Sequence, residues 1–279
     1  MALYILCISC DDKNGIVAEV ATCLADNECN IEESSQFNDP LSGKFFMRVV
    51  FAAKGSEGFR NCFTTTAEKF SMQWYVAGAN EKIRTLIMVS KFDHCLNDLL
   101  YKWRSGILPI EITAVVSNHG NAKDLARSHN LPFHYFPVTK ETKQQQEQDV
   151  CKIIEDTQSD LIIMARYMLI LTEKFCSDYA GRVINIHHSF LPAFIGANPY
   201  LQAFERGVKV IGATSHFVTA DLDEGPIIEQ DVLHINHSYN AKELSDLGKD
   251  VEQLVLSKAI KYVTEDRVFV HKNKTVVFK

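Results

Sequence analysis

Nine segments between residues 85 and 184 alternate in type. Strand-like apolar runs lie at 85–89, 111–117, 134–136, 161–164 and 182–184, and stretches with helical spacing at 96–103, 122–129, 143–157 and 173–179. A strand, a helical crossover and a second strand predict parallel pairing, and repetition of that unit predicts a doubly wound, mostly parallel α/β sheet. Ligands on such sheets bind beyond the carboxyl ends of the strands, so residues that close each run are the first candidates for chemistry. Two longer β-rich stretches, 208–218 and 226–236, are joined by a polar loop and read as an antiparallel addition. Residues 241–264 follow as a long amphipathic helix, then 268–270 and 276–278 as a hairpin around Asn273.

Residues 1–82 carry a different pattern. Residues 3–9 read as a strand, and Asp11 or Asp12 can cap a helix that begins near Gly15 and continues through Val17, Val20, Ala21 and Leu24. Strands are expected at 31–37 and 44–53 around the turn Asp39-Pro40-Leu41-Ser42-Gly43, a second helix at 59–70 and a fourth strand at 71–76. The order β-α-β-β-α-β is the ferredoxin-like, split βαβ arrangement. A polar seam at 77–82 separates it from the alternating region, so the expected domains are 1–82 and 83–279.

The bulk numbers limit the partners. A length of 279 residues suits one large or two unequal domains, and 46% hydrophobic with 23% charged residues is ordinary for a soluble globular chain. A formal net charge of -6 points away from nucleic acid and anionic membranes. No apolar run approaches the roughly 20 residues of a membrane helix, and Met1-Ala2-Leu3-Tyr4-Ile5 lacks the basic region of a signal peptide, so a cytoplasmic protein is expected. Eight cysteines lie mostly in apolar segments. Cys7 and Cys10 should face opposite sides of a strand, and no second Cys/His pair completes a zinc pattern, so free thiols and no metal are expected.

The densest polar signal follows the run Arg182-Val183-Ile184, which delivers Asn185 and His187 to one face of a strand end. Asn185 can donate to a developing oxyanion. His187 can exchange a proton near neutral pH. Asp223, in the acidic turn Asp221-Leu222-Asp223-Glu224-Gly225, would orient the imidazole and raise its basicity if its loop closes over it. Such a trio can stabilise a tetrahedral adduct and hand a proton to a leaving nitrogen. No serine or cysteine stands in a nucleophile-elbow context, so the attacking group is a water or an amine. His188, facing away from His187, is expected to pack or hydrogen-bond locally.

Two resemblances sharpen this reading. Residues 1–82 resemble an ACT domain, through the first strand, the turn Asp12-Lys13-Asn14-Gly15 and the element order. The resemblance implies an effector loop at Asp12, Asn14 and Gly15 for a small ligand such as an amino acid, or a surface for homo-oligomer assembly. Residues 83–279 are similar to the formyltransferase-fold family, whose Asn-x-His, Ser-x-Leu-Pro, Gly, His-x-Val and Asp-x-Gly anchors fall on Asn185, His187, Ser189, Leu191-Pro192, Gly196, His216, Val218, Asp223 and Gly225. It implies a catalytic Asn185, His187 and Asp223, a cis Leu191-Pro192 bond, and a folate-binding loop of Arg166, Tyr167, Met168, Leu169 and Leu171 whose backbone groups bind the pterin edge, helped by Thr219 and Leu222. The family's transferases carry a glycine-rich, phosphate-holding turn after their first strand, whereas here the turn contains Ser90, Lys91, Asp93 and His94 and no glycine. That departure, with Asn118-His119 and the full 185–192 run, resembles the formyltetrahydrofolate deformylases. It implies hydrolysis of 10-formyltetrahydrofolate to formate and tetrahydrofolate, serving one-carbon pools and purine synthesis. Lys91 and His94 would shape the former acceptor pocket, and folate would be substrate with no cofactor. The alternatives are formyl transfer to an amine acceptor and a catalytically inactive folate-binding regulator.

Overall fold

The computed structural model describes residues 1–139, 141–194 and 198–279, in two compact units. The first unit comprises Met1–Glu81 together with Glu265–His271 and Val276–Lys279. It begins with β1 (Ala2–Asp11), α1 (Ile16–Asp26), β2 (Asn30–Asp39), β3 (Lys44–Ala53), α2 (Glu57–Phe70) and β4 (Gln73–Gly78). The four strands form an antiparallel sheet in the order β2-β3-β1-β4. Alternation along β1 sends Leu6, Ile8 and Cys10 into a core with Ile16, Val20 and Leu24 of α1 and Phe59, Phe63 and Phe70 of α2.

The opposite face of this sheet is also covered, which departs from the expected boundary. Ile5, Cys7, Phe46 and Arg48 on that face are buried. Residues 265–271 lie against it: Arg48 Nε and Nη2 donate to the Glu265 carbonyl at 3.1 and 2.9 Å, and the Phe46 and Phe269 rings meet at 5.8 Å. Cys7 Sγ donates to the Asp266 carbonyl at 3.4 Å, and burial pushes its thiol up to about 12. The physical reason is that β1 and β3 are apolar on both faces while the two helices cover one. The C-terminal stretch supplies the other cover, so it does not belong wholly with residues 83–264. Cys7 and Cys10 do face opposite sides, and all eight thiols are free.

Neither aspartate caps α1. Its N-cap is Gly15, with φ +94° and no side-chain cap, while Asp11 accepts from Lys44 Nζ at 2.6 Å and Asp12 accepts from Asn38 Nδ2. The core rests on aromatic packing: the Phe63 ring lies 5.1 Å from Phe59 and 4.9 Å from Trp74 and is fully buried. Phe63→Ala is therefore expected to destabilise this unit by about 3–5 kcal/mol, read from the midpoint of denaturant unfolding.

The second unit comprises Lys82–Thr264 and Lys272–Thr275. It runs β5 (Ile83–Val89), α3 (His94–Arg104), β6 (Ile110–Ser117), α4 (Lys123–Ser128), β7 (Phe133–Tyr135), α5 (Lys143–Asp156), β8 (Leu161–Met164), α6 (Glu173–Asp178), β9 (Val183–His187), α7 (Pro199–Arg206), β10 (Val210–Phe217), β11 (Ile227–His234) and α8 (Ala241–Thr264). The chain ends with a ribbon of β12 (Val268–His271) and β13 (Lys274–Val277).

The seven-stranded sheet has the order β11-β10-β9-β8-β5-β6-β7. Strands β5 to β9 are mutually parallel, and β10 pairs antiparallel with β9 and β11, the architecture expected from the alternation. The chain winds from β5 outward to β7, then returns to β8 on the other side, so the topological switch point lies between β5 and β8. Strand residues Leu86, Met88, Ile162, Met164 and Val183 pack with α5 and α6. Alternation sends Ile87, Val89, Ile184 and Ile186 to the opposite face, where α8 lies on β9 and β10 beside α3. Helix α7 is absent from the sequence reading, although Pro199 at its start and Gly207 at its end, φ +65°, are standard signals.

Candidate active site

Strand β9 continues to His187, so Asn185 and His187 stand inside the strand rather than just beyond it. Register places Asn185 opposite His216 of β10, and the Asn185 amide donates from Nδ2 to His216 Nε2 at 3.3 Å. His216 donates from Nδ1 to the Phe217 carbonyl at 2.9 Å. That bond fixes the neutral ring as the tautomer whose Nε2 accepts, which in turn orients the Asn185 amide.

Asp223 reaches the pair from the loop after β10, in a left-handed conformation with φ +58°. Its Oδ1 lies 3.3 Å from His187 Nδ1 and 3.7 Å from His216 Nε2. Burial pushes the Asp223 carboxyl up, but the hydrogen bond and charge of the His187 imidazole pull it the other way, and the group lies well below the usual carboxylate range. His187 donates from Nδ1 to Asp223, and its Nε2 is buried with no hydrogen-bond partner. This ring nitrogen is the proton-exchanging position left to a substrate.

The depressed pKa has a signed consequence. The His187–Asp223 pair contributes stability above the ordinary aspartate pKa of about 3.9 and loses it as pH falls through the lower native value. A carboxyl carbon-13 resonance from Asp223 is expected to report the ionised form still at pH 4, when exposed aspartates are half protonated. Midpoint protonation at pH 4 or above would contradict the pairing.

The remaining expected residues divide. Leu169, Leu171, Thr219 and Leu222 line a cleft with Val218 that opens onto Asn185, His216 and Asp223. Arg166, Tyr167 and Met168 do not line it. Arg166 has φ +62°, and this left-handed turn sends its guanidinium toward the end of β5, with Nε 3.2 Å from Glu252 Oε2 and the cation 5.8 Å from the Phe92 ring. The Tyr167 hydroxyl is buried, accepting from Gln146 Nε2 at 2.8 Å. Met168 is half exposed, and its backbone N–H donates to Ser90 Oγ at 2.9 Å. Lys91 is exposed, and His94 donates from Nε2 to Glu252 Oε2 at 2.8 Å. Asp12, Asn14 and Gly15 form an exposed turn of the first unit.

The loop after β9 is pinned to β10: Leu191 N–H donates to Thr214 Oγ1 at 3.0 Å, and Ser189 Oγ donates to the Ala193 carbonyl at 2.6 Å. The Leu191–Pro192 bond is cis. Gly196 lies outside the described residues. His188 packs locally as expected, its ring 6.2 Å from Tyr200. Burial, assisted by the charge of Arg166, pushes its pKa down to about 3, so the ring is neutral.

Two contributors escaped the sequence reading. His216 was legible as a motif anchor but not as the residue that orients Asn185. Glu252 had a signal that went unused, a carboxylate on the stripe of α8 that carries Leu256, Ala259 and Ile260 at helical spacing. It is completely buried.

A formyl transferase family model matches residues 83–260. A formyltetrahydrofolate deformylase of Bacillus subtilis is 48% identical over 278 residues, 98% of this chain and 93% of that protein. The crystal structure of a formyltetrahydrofolate deformylase from Pseudomonas syringae superposes with a TM-score of 0.97 at 45% identity, over 100% of this chain and 95% of that one. The corresponding structure from Burkholderia mallei gives 0.94 at 46% identity, with both chains fully covered.

Proposed function

The chain belongs to the formyltetrahydrofolate deformylases of the formyl transferase family, and we propose that its Asn185–His187–Asp223 site hydrolyses 10-formyltetrahydrofolate to formate and tetrahydrofolate. The observation that carries the mechanism is the convergence of these three side chains, 38 positions apart from Asn185 to Asp223 (223 − 185), at one strand end beside an apolar cleft. The pterin occupies that cleft, against Leu169, Leu171 and Leu222, and brings the formyl group on N10 to the end of β9, beside Asn185 and His187. Asn185 Nδ2, already oriented by His216, has a second N–H for the oxygen of the formyl group.

Water attacks the formyl carbon and passes one proton to the free His187 Nε2. The adduct's oxyanion is held by Asn185 and by protonated His187, whose charge is supported by ionised Asp223. N10 takes a proton from His187 Nε2 as the carbon–nitrogen bond breaks, and formate and tetrahydrofolate leave. No resident cofactor is assigned, because the folate is itself the substrate. Purified protein with 10-formyltetrahydrofolate and no amine should release formate carrying one oxygen from labelled water. Stoichiometric folate binding without formate would favour a regulator with a dead site, and a strict requirement for an amine would favour a transferase.

The first unit is proposed as an ACT-type module, on the strength of its β-α-β-β-α-β order and antiparallel sheet. It would bind an amino-acid effector at the turn of Asp12, Asn14 and Gly15, or assemble copies of the chain, in a cytoplasmic enzyme. Asp12→Ala with Asn14→Ala is expected to abolish any change in turnover produced by individual amino acids. An unchanged oligomeric mass by light scattering would separate the effector role from assembly.

A further inference from the structure

Across the sheet from the proposed folate cleft, buried Glu252, Tyr200 and Arg166 and part-buried His94 close on one point from α8, α7, the turn after β8 and α3. Glu252 of α8 accepts from His94 Nε2 at 2.8 Å and from the Tyr200 hydroxyl at 2.6 Å, and the Arg166 guanidinium stands 3.2 Å from its Oε2. Glu252 is fully buried and Arg166 nine-tenths buried, with Arg166 Nε and Nη1 making no hydrogen bond. Tyr200 is wedged against Gly248, where a Cβ would come 2.1 Å from the tyrosine ring. The cluster sits at the carboxyl ends of β5 and β8, the switch point where a doubly wound sheet offers its ligand crevice.

Its location decides its meaning. Asn185 and the cleft-lining Met164 belong to the sheet face that packs with α5 and α6, whereas Glu252, His94 and Tyr200 come from α8, α3 and α7. On the hydrolase reading, the side of the formyl group away from the cleft is the α3 and α8 side, the direction left for a nucleophile. On that side neutral His188 lies 5.1 Å from the His187 ring and 6.2 Å from Tyr200, which in turn is bonded to Glu252 beside Arg166. His94, Cys95 and Glu252 have ligand atoms within 4.8 Å of one another. Arg166 already neutralises Glu252 there and would repel a metal ion.

Building on the hydrolase reading, we propose that the Arg166–Glu252–His94–Tyr200 cluster is the specificity determinant of the site, a filled wall that admits water and excludes amines as acceptors of the formyl group. Arg166 is the keystone. Its left-handed backbone, φ +62°, suits glycine, so Arg166→Gly removes the guanidinium without backbone strain. Arg166→Gly with Glu252→Gln also removes the buried carboxylate charge left behind.

The test is a partition experiment with 10-formyltetrahydrofolate and hydroxylamine. In an amine-captured turnover the hydroxylamine nitrogen attacks the formyl carbon, the bond from that carbon to N10 breaks, N10 gains a proton, and formylhydroxamate and tetrahydrofolate form. The wild-type protein should give formate nearly exclusively. Arg166→Gly, the double variant and, as a milder opening, His94→Ala should raise the share of hydroxamate by about tenfold or more, the scale on which small pocket changes discriminate. A merely structural role would lower total turnover and leave that share unchanged. Equal shares in wild type and all soluble variants would overturn the proposal, as would a wild-type protein that already yields hydroxamate freely. Absence of formate from wild type would instead refute the hydrolase reading and leave the wall untouched as the cause.

Discussion

Asn185→Ala should lower kcat by about a hundredfold or more, because a preorganised oxyanion donor is worth about 3–4 kcal/mol in a site sheltered from water. The geometry makes the loss specific to the transition state. Asn185 stands at the strand end, its backbone held between β8 and β10. Its amide is oriented by His216, which is itself fixed by the Phe217 carbonyl. A donor held in this way contributes little more to a ground-state carbonyl than water does, and much more to an oxyanion. KM should therefore change little while kcat and kcat/KM fall together. The strand should survive, since Asn185 is only part-buried and its backbone pairing is unaffected by the side chain. Near-normal turnover in folded Asn185→Ala protein would remove this residue from the chemistry. A rise in KM with kcat intact would make it a binding residue.

The parts of this protein legible from sequence are those set by local periodicity. Alternating apolar runs and helical spacings gave the parallel sheet and its antiparallel extension, because each element's own pattern dictates its pairing. Asn185 and His187 were legible for the same reason, sharing a face two residues apart. Contacts that depend on chain return were not legible. The cover that 265–271 lays over β1 and β3 rests on a segment more than two hundred residues away, and nothing in Val268-Phe269-Val270 names its target. The direction of the Arg166 side chain was not legible either, because a positive φ at a non-glycine residue has no local signature, and that torsion carries the guanidinium to Glu252. The aspartates before α1 met competing partners, Lys44 and Asn38, across the β2–β3 hairpin. In each case a tertiary contact outweighed a weak local preference.

Gly225→Ala should cost about a hundredfold in turnover, although the residue touches no substrate. A Cβ at this position would lie 1.8 Å from the Phe217 carbonyl oxygen and 2.9 Å from its carbon, both backbone atoms that cannot rotate away. Phe217 ends β10, and its N–H is bonded to the Pro226 carbonyl at 2.9 Å, so the two strands clamp the loop between them. Relief has to come from the loop itself, and Asp223 is two residues from the clash. A displacement near 1 Å is enough to part its carboxylate from His187, and misplacements of that size cost about a hundredfold. Gly207→Ala provides the contrast. It has φ +65° but open space around its Cβ, so it should lose about 1 kcal/mol of stability from backbone strain with kcat unchanged. Comparing the two variants by thermal midpoint and by kcat separates general strain from loss of the aspartate. For Gly225→Ala the fall in kcat should come with the disappearance of the low carboxyl pKa at Asp223. Normal turnover in that variant would mean that the loop does not need its close approach to β10 to hold Asp223 against the imidazole.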